Sequence, residues 1–131
     1  MTEKKPRPLT PLELQIMNIL WDRGPSNVQE VQAALAAPLA YTTVQTMLNV
    51  LHRKGRVRRA LHGRAYEYEA TLSREKATGN AVRDVIDRVF DGSVEALLMT
   101  LVRIGQLDAK KLAKLTELVE ASKKGERRAK R

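Results

Sequence analysis

Tyr41-Thr42-Thr43-Val44-Gln45-Thr46-Met47-Leu48-Asn49 is the stretch whose periodicity decides the fold. Laid out at about 100° per residue, it is a helix with two unlike faces. Val44, Met47, Leu48 and Leu51 form one stripe, facing a core, and Thr42, Gln45, Thr46, Asn49 and Arg53 form the other. The second face is polar yet nearly uncharged and ends in an arginine. A merely solvated face would carry Glu and Lys. Hydroxyls and amides instead suit the base edges of a DNA groove, with the terminal charge left for phosphate. The helix therefore reads as a recognition helix.

The segment that follows carries the electrostatics. Arg53, Lys54, Arg56, Arg58, Arg59 and Arg64 fall within twelve residues that hold no acid. A run of this kind is either a solvated edge strand or a phosphate-binding edge, and its place after the polar-faced helix favours phosphate. Six such contacts would give log K a slope near −5 against log salt, at about 0.9 per phosphate. After Gly55 the helical period gives way to two alternating runs, Val57 to Leu61 and Ala65 to Ala70, joined by His62-Gly63-Arg64. They read as a β-hairpin with Gly63 near its tip.

Three places set a hydroxyl three residues before Glu or Gln, the reciprocal arrangement that satisfies exposed amides at a helix start. They are Thr10-Pro11-Leu12-Glu13, Ser26-Asn27-Val28-Gln29 and Thr42-Thr43-Val44-Gln45. Thr10, Ser26 and Thr42 are accordingly expected to be caps. The first helix presents Leu12, Ile16, Ile19 and Leu20 and stops at Gly24-Pro25. The second presents Val28, Val31 and Leu35 and breaks around Ala37-Pro38, and the third runs to Gly55. Three helices followed by a basic hairpin make a winged helix-turn-helix. As a cap, Thr42 would have its oxygen partly committed, so it is assigned a positioning role. Base reading falls to Gln45, Thr46 and Asn49. Thr43 lies on the flank, where a hydroxyl would meet phosphate. Tyr41 could bond phosphate or pack on the hairpin.

Beyond Thr71-Leu72-Ser73 only helical spacing is visible, with Ser73 as a cap. Val82, Val85, Ile86 and Val89 form a stripe with Phe90 beside it, ending at Gly92. Val94, Leu97, Leu98, Leu101 and Val102 form a second, ending at Gly105. Leu112, Leu115, Leu118 and Val119 form a third, opened by Leu107 and capped by Asp108. Three thin amphipathic helices make a poor core alone, because a small unit buries too little of its surface. A second copy would complete it, so a homodimer is expected. The fold class is mainly α, divided as an N-terminal arm (1–8), a winged-helix domain (9–72), a helical dimerisation domain (73–121) and a basic, frayed tail (122–131).

Composition sets the remaining bounds. The net charge of +9 favours a polyanionic partner. Five aromatic residues are too few for stacking on single-stranded bases. No apolar run approaches bilayer length, and Lys4-Lys5-Pro6-Arg7 leads into no signal-peptide core, so the expected location is the cytoplasm. There is no cysteine, and His52 and His62 are the only histidines, without carboxylates clustered beside them. No metal or cofactor is expected. Trp21, Met17, Met47 and Met99 read as packing residues. Gly-rich phosphate loop, nucleophile elbow and paired-His signatures are all absent from the sequence, so an enzyme is not expected.

Several of these segments together resemble the penicillinase-repressor (BlaI/MecI) family. They are Tyr41-Thr42-Thr43-Val44-Gln45-Thr46-Met47-Leu48, Arg53-Lys54-Gly55, Met17-Asn18-Ile19-Leu20-Trp21 and Gly63-Arg64-Ala65-Tyr66-Glu67-Tyr68. The resemblance is specific over about residues 9 to 72 and looser through Gly92-Ser93 and the stripes after it. It implies a homodimeric winged-helix repressor on a palindromic operator, with Thr42, Thr43, Gln45 and Thr46 on the DNA-facing helix and Gly63 and Arg64 in the wing. In the antibiotic-resistance branch, a membrane sensor protease triggers cleavage at an Asn–Phe bond. Counted from Gly92-Ser93, that position is Thr100-Leu101 here, a departure that argues against a β-lactam signal. Copper-responsive members carry C-terminal cysteines, which this chain lacks. Two other readings of the residues stay open. One is a non-specific architectural DNA binder, and the other is a winged helix used as a protein-interaction module.

Overall fold

A computed structural model describes residues 8–129, with side-chain detail to residue 125. The basic start at Lys4-Lys5-Pro6-Arg7 and the final Lys130-Arg131 lie outside the described residues. Six helices and three strands follow in the order α1 (Pro11–Arg23), β1 (Ser26–Asn27), α2 (Val28–Ala34), α3 (Tyr41–Arg53), β2 (Val57–His62), β3 (Ala65–Ala70), α4 (Arg74–Val89), α5 (Val94–Arg103) and α6 (Ala109–Ala129). The chain separates into two units at Ala81 and Val82, within α4.

The first unit is a winged helix closed around one core. Ile16, Met17 and Leu20 of α1, Val28 and Val31 of α2, and Val44, Leu48 and Leu51 of α3 meet Val57 and Tyr68 of the hairpin. Leu9, Ile19, Trp21, Leu35, Leu39, Met47 and Ala70 pack around them. These are the apolar stripes expected from helical spacing, except that Leu12, expected on the α1 stripe, is half-buried and lies outside the core cluster. The hairpin pairs Val57 with Ala70 and His62 with Ala65, which leaves Gly63-Arg64 as a two-residue loop. Gly63 has φ +63°. A positive φ at the first loop position matches the twist of the flanking strands and favours glycine there.

Local signals set the first helix start and were overruled at the next two. Thr10 caps α1 as expected, with Glu13 returning the bond to the Thr10 amide. At α2 the cap is Asn27 rather than Ser26, and the reciprocal partner is Glu30 rather than Gln29. Ser26 is buried in a short strand paired with Tyr68, and its hydroxyl donates to the Gly24 carbonyl. The two capping patterns are offset by one residue, and the sheet takes Ser26. This third strand, order β1-β3-β2, carries no periodic signal in the sequence. At α3 the cap is Ala40, with no side-chain bond, so the helix begins before Thr42. Leu39 packs on the core and its carbonyl accepts a bond from the Gln32 amide, which fixes the approach of the chain one step earlier.

The exit from this unit is anchored. The Trp21 indole donates to the Leu72 carbonyl at 3.0 Å. Arg74 pairs with Asp22 at 2.7 Å, donates to the Asn18 carbonyl and lies over the Trp21 ring. Ser73 caps α4, accepting from the Lys76 amide.

The second unit has a different character. α5 is capped by Ser93 and α6 by Asp108. Leu107 is its one buried hydrophobic among the described residues. α6 continues to Ala129, whereas the sequence reading expects a frayed tail from Ser122. The physical reason is propensity. Ala, Lys, Glu and Arg are strong helix formers and need no packing to extend a helix already nucleated.

Candidate nucleic-acid interface

The phase of α3 follows from its core stripe. With Val44, Leu48 and Leu51 fully buried, Thr42, Thr43, Gln45 and Thr46 are held on the opposite side and exposed. Tyr41, at the first helical position, is 47% exposed, and Arg53 is exposed at the other end. Because Ala40 is the cap, the Thr42 hydroxyl is not engaged in capping. The positioning role assigned to Thr42 on that ground is therefore corrected, and its side chain joins Gln45 and Thr46 on one accessible surface. No charged side chain from α3 itself interrupts this patch. It can donate and accept hydrogen bonds without the desolvation cost of burying an ion.

Asn49 differs from its neighbours. It is half-buried, and its Oδ1 accepts from Arg59 Nη1 at 3.1 Å and from the Tyr68 hydroxyl at 3.4 Å. Its acceptor oxygen is turned to the wing, so the base reading expected of Asn49 loses its acceptor.

The basic run is more nearly balanced in space than in sequence. Lys54 Nζ lies 2.8 Å from both carboxylate oxygens of Glu13, a residue 2% exposed on α1. This ion pair bolts the end of α3 to the start of α1. Burial pushes the Glu13 carboxyl upward, but the Lys54 ammonium and the bonds from Thr10 outweigh it and hold the group below its ordinary value. Lys54, expected to meet phosphate, is instead a buried-pair partner. Arg58 pairs with Glu69, directly opposite on β3, at 2.6 Å. His62 lies 3.5 Å from Glu67. The acids of β3 thus sit on the same face as these two basic groups. A signal for this was present: a hairpin turning at Gly63-Arg64 puts position 58 against position 69.

The remaining basic residues keep to the expected region. Arg56 is half-buried at the root of the hairpin, where its carbonyl accepts from the Thr71 amide. Arg59 is exposed, with its Cζ 4.4 Å from the Tyr66 ring centroid. Gly63 and Arg64 are exposed at the tip. Helix face and wing tip are both accessible, and both belong to the first unit.

In the second unit the apolar stripes are uncovered. Val82, Val85, Val89, Val94, Leu98, Leu112, Leu115 and Leu118 are each between 38% and 68% exposed, and Ile86, Phe90, Leu97 and Leu101 are half-buried. Thr100-Leu101 lies inside α5, where the Thr100 hydroxyl donates to the Ala96 carbonyl at 2.9 Å. Among the described residues, no helix is long and apolar enough to cross a membrane.

Residues 9–121 match the family described as penicillinase repressor. The chain is similar to the transcriptional regulator BlaI of Mycobacterium tuberculosis, at 35% identity over 115 residues, covering 84% of this chain and 83% of that one. It is also similar to the penicillinase repressor of Bacillus licheniformis, at 23% identity over 122 residues, covering 92% of this chain and 95% of that one. Among solved structures it is similar to the monomeric form of Bacillus licheniformis BlaI in complex with the blaP half-operator. That match has 28% identity and a TM-score of 0.47, and covers 56% of this chain and 92% of that one. The family match over residues 9–121 and the 35% identity to the Mycobacterium tuberculosis regulator show that the chain belongs to the penicillinase repressor (BlaI/MecI) family of winged-helix transcriptional repressors, which are not enzymes.

Proposed function

We propose that the protein is a homodimeric repressor, acting in the cytoplasm, that seats α3 in the major groove of each half of a palindromic operator. The observation that carries this reading is the exposed, uncharged polar face of α3. Thr42, Gln45 and Thr46 are exposed and offer the hydroxyl and amide groups that can bond base edges. Arg53 at the end of the helix and Arg64 at the wing tip grip the backbone, and Tyr41 and Thr43 add hydroxyl contacts to it from the start of the helix. Repression follows from occupying promoter DNA.

A two-fold symmetric dimer requires two half-sites about one helical turn apart, or a multiple of it. The uncovered stripes of the second unit support dimerisation. Val82, Val85, Val89, Leu98 and Leu115 expose apolar surface that a matching copy would remove from water, at about 25 cal/mol for each Å². Release by proteolysis at Thr100-Leu101 would first need α5 to open, because a helical bond is not presented in extended form.

The test is a titration of duplexes with and without a palindrome at several salt concentrations. Tight, palindrome-dependent binding is expected. On a half-site duplex the slope should be shallower than −5, because Lys54 and Arg58 are held by Glu13 and Glu69. Equal affinity for every sequence would mean an architectural binder. No binding at low salt would mean a protein-interaction module.

A further inference from the structure

Resting on that DNA-binding reading and deepening it, we propose that Asn49 and Arg59 form a positioning pair that sets the angle between α3 and the wing, rather than two independent DNA contacts. Strand alternation places Val57, Arg59 and Leu61 on one face of the hairpin with Tyr66, Tyr68 and Ala70. At the root of that face Val57 and Tyr68 are buried in the core. Beyond them the core ends, and Leu61 stands 62% exposed. Arg59 sits at this margin. Its Nη1 donates to Asn49 Oδ1, and its guanidinium lies over the Tyr66 ring. Tyr68, directly opposite Arg59, donates to the same oxygen. An arginine side chain can only donate, so the amide must turn its oxygen to the wing. One atom of α3 therefore ties both strands of the hairpin close to where it projects, at the register where β1 makes its short pairing of Ser26 with Tyr68 and Asn27 with Glu67.

The lever is long enough to matter. About four residues separate Arg59 from the tip, or ~13 Å of strand. A pivot of about 10° at Arg59 moves Arg64 by roughly 2 Å over that length, enough to break a phosphate contact. Beyond Ala60 and Glu67 the hairpin has no third strand beside it among the described residues, and a two-stranded ribbon is only marginally stable by itself. Arginine suits the task because its planar group can stack on Tyr66 and bond Asn49 at once, and a lysine cannot do both.

The experiment uses the full chain and a duplex selected from a random pool by the unaltered protein. Binding is measured against that duplex and its single-base-pair variants for Asn49→Ala, Arg59→Lys and the double variant. Each single change should weaken binding roughly tenfold, the scale of one charge-assisted hydrogen bond. The loss should be the same on every duplex variant, and the double variant should be no weaker than the singles. Asn49→Ala removes no charge, yet its salt slope should fall by about one unit as the Arg64 contact is lost. Arg59→Lys keeps the charge on an exposed strand, so its deficit cannot come from a missing cation. The proposal is overturned if Asn49→Ala erases preference at one base pair with the slope unchanged, or if the two losses multiply in the double variant. Failure of the unaltered protein to select any duplex would instead overturn the DNA-binding reading itself.

Discussion

The two units use similar apolar spacing to opposite ends. In the first, stripes from α1, α2 and α3 converge on Val57 and Tyr68, and Ile16, Val31, Val44, Leu48 and Leu51 are fully buried. In the second, stripes of comparable strength on α4, α5 and α6 leave Val89, Leu118 and Val119 more than half exposed. An amphipathic period shows that a helix has a partner surface. It does not say whether that surface belongs to the same chain. The hairpin makes the difference here: in the first unit a sheet closes the open side of the helices, and the described residues of the second unit contain no strand.

The largest effect should come from attacking the uncovered stripes. Leu98→Asp combined with Leu101→Asp should convert dimers to monomers in sedimentation velocity. Two leucines per protomer, at roughly 1.5–3 kcal/mol each, would lower association by about four orders of magnitude or more. A variant that stays dimeric would mean that the interface lies elsewhere. Leu48→Ala should reduce the stability of the first unit by about 2–5 kcal/mol in denaturant titration, the usual range for a filled core. That loss should not depend on protein concentration, whereas the loss from Leu115→Ala should. Identical behaviour of the two variants would erase the contrast between self-closed and partner-closed helices.

A third change sharpens the contrast inside the first unit. Lys54→Met leaves the Glu13 carboxylate buried without its cation and should cost about 3 kcal/mol, the lower range for breaking a buried pair. The pH dependence has a definite sign. The folded-state value of Glu13 is depressed, so its stabilisation is present in full above the ordinary value of 4.5 and is lost as pH falls through the folded value. Glu13→Gln should flatten the acid limb of a stability profile, and an unchanged limb would remove Glu13 as its source. The smallest effects separate caps from readers. Asn27→Ala should cost about 0.5–2 kcal/mol of stability. Thr42→Ala should leave thermal unfolding nearly unchanged while weakening operator binding. A clear stability loss at Thr42 would restore it as a cap.

Much of the candidate site was readable from local pattern. The face carrying Thr42, Gln45 and Thr46 follows from the positions of Val44, Leu48 and Leu51, since helix phase is set by the core. The hairpin tip follows from Gly63 between two alternating runs. What escaped was pairing between distant segments. Lys54 looked like one of six phosphate ligands because Glu13 lies forty-one residues away. Arg58 looked unopposed because Glu69 is on the returning strand. Asn49 shared the spacing of the base readers, but the oxygen it offers is turned to Arg59 and Tyr68.

By itself, then, the chain dictated its helices, their buried faces, the wing and the repressor family. Those properties arise from spacing within a few residues, where backbone geometry converts sequence position directly into direction. Tertiary structure alone decided which residue capped α2, where α3 began, which cations were neutralised and which amide was occupied. In each of these, several groups competed for one partner. The winner was set by what the fold brought within about 3 Å, the range over which a hydrogen bond forms.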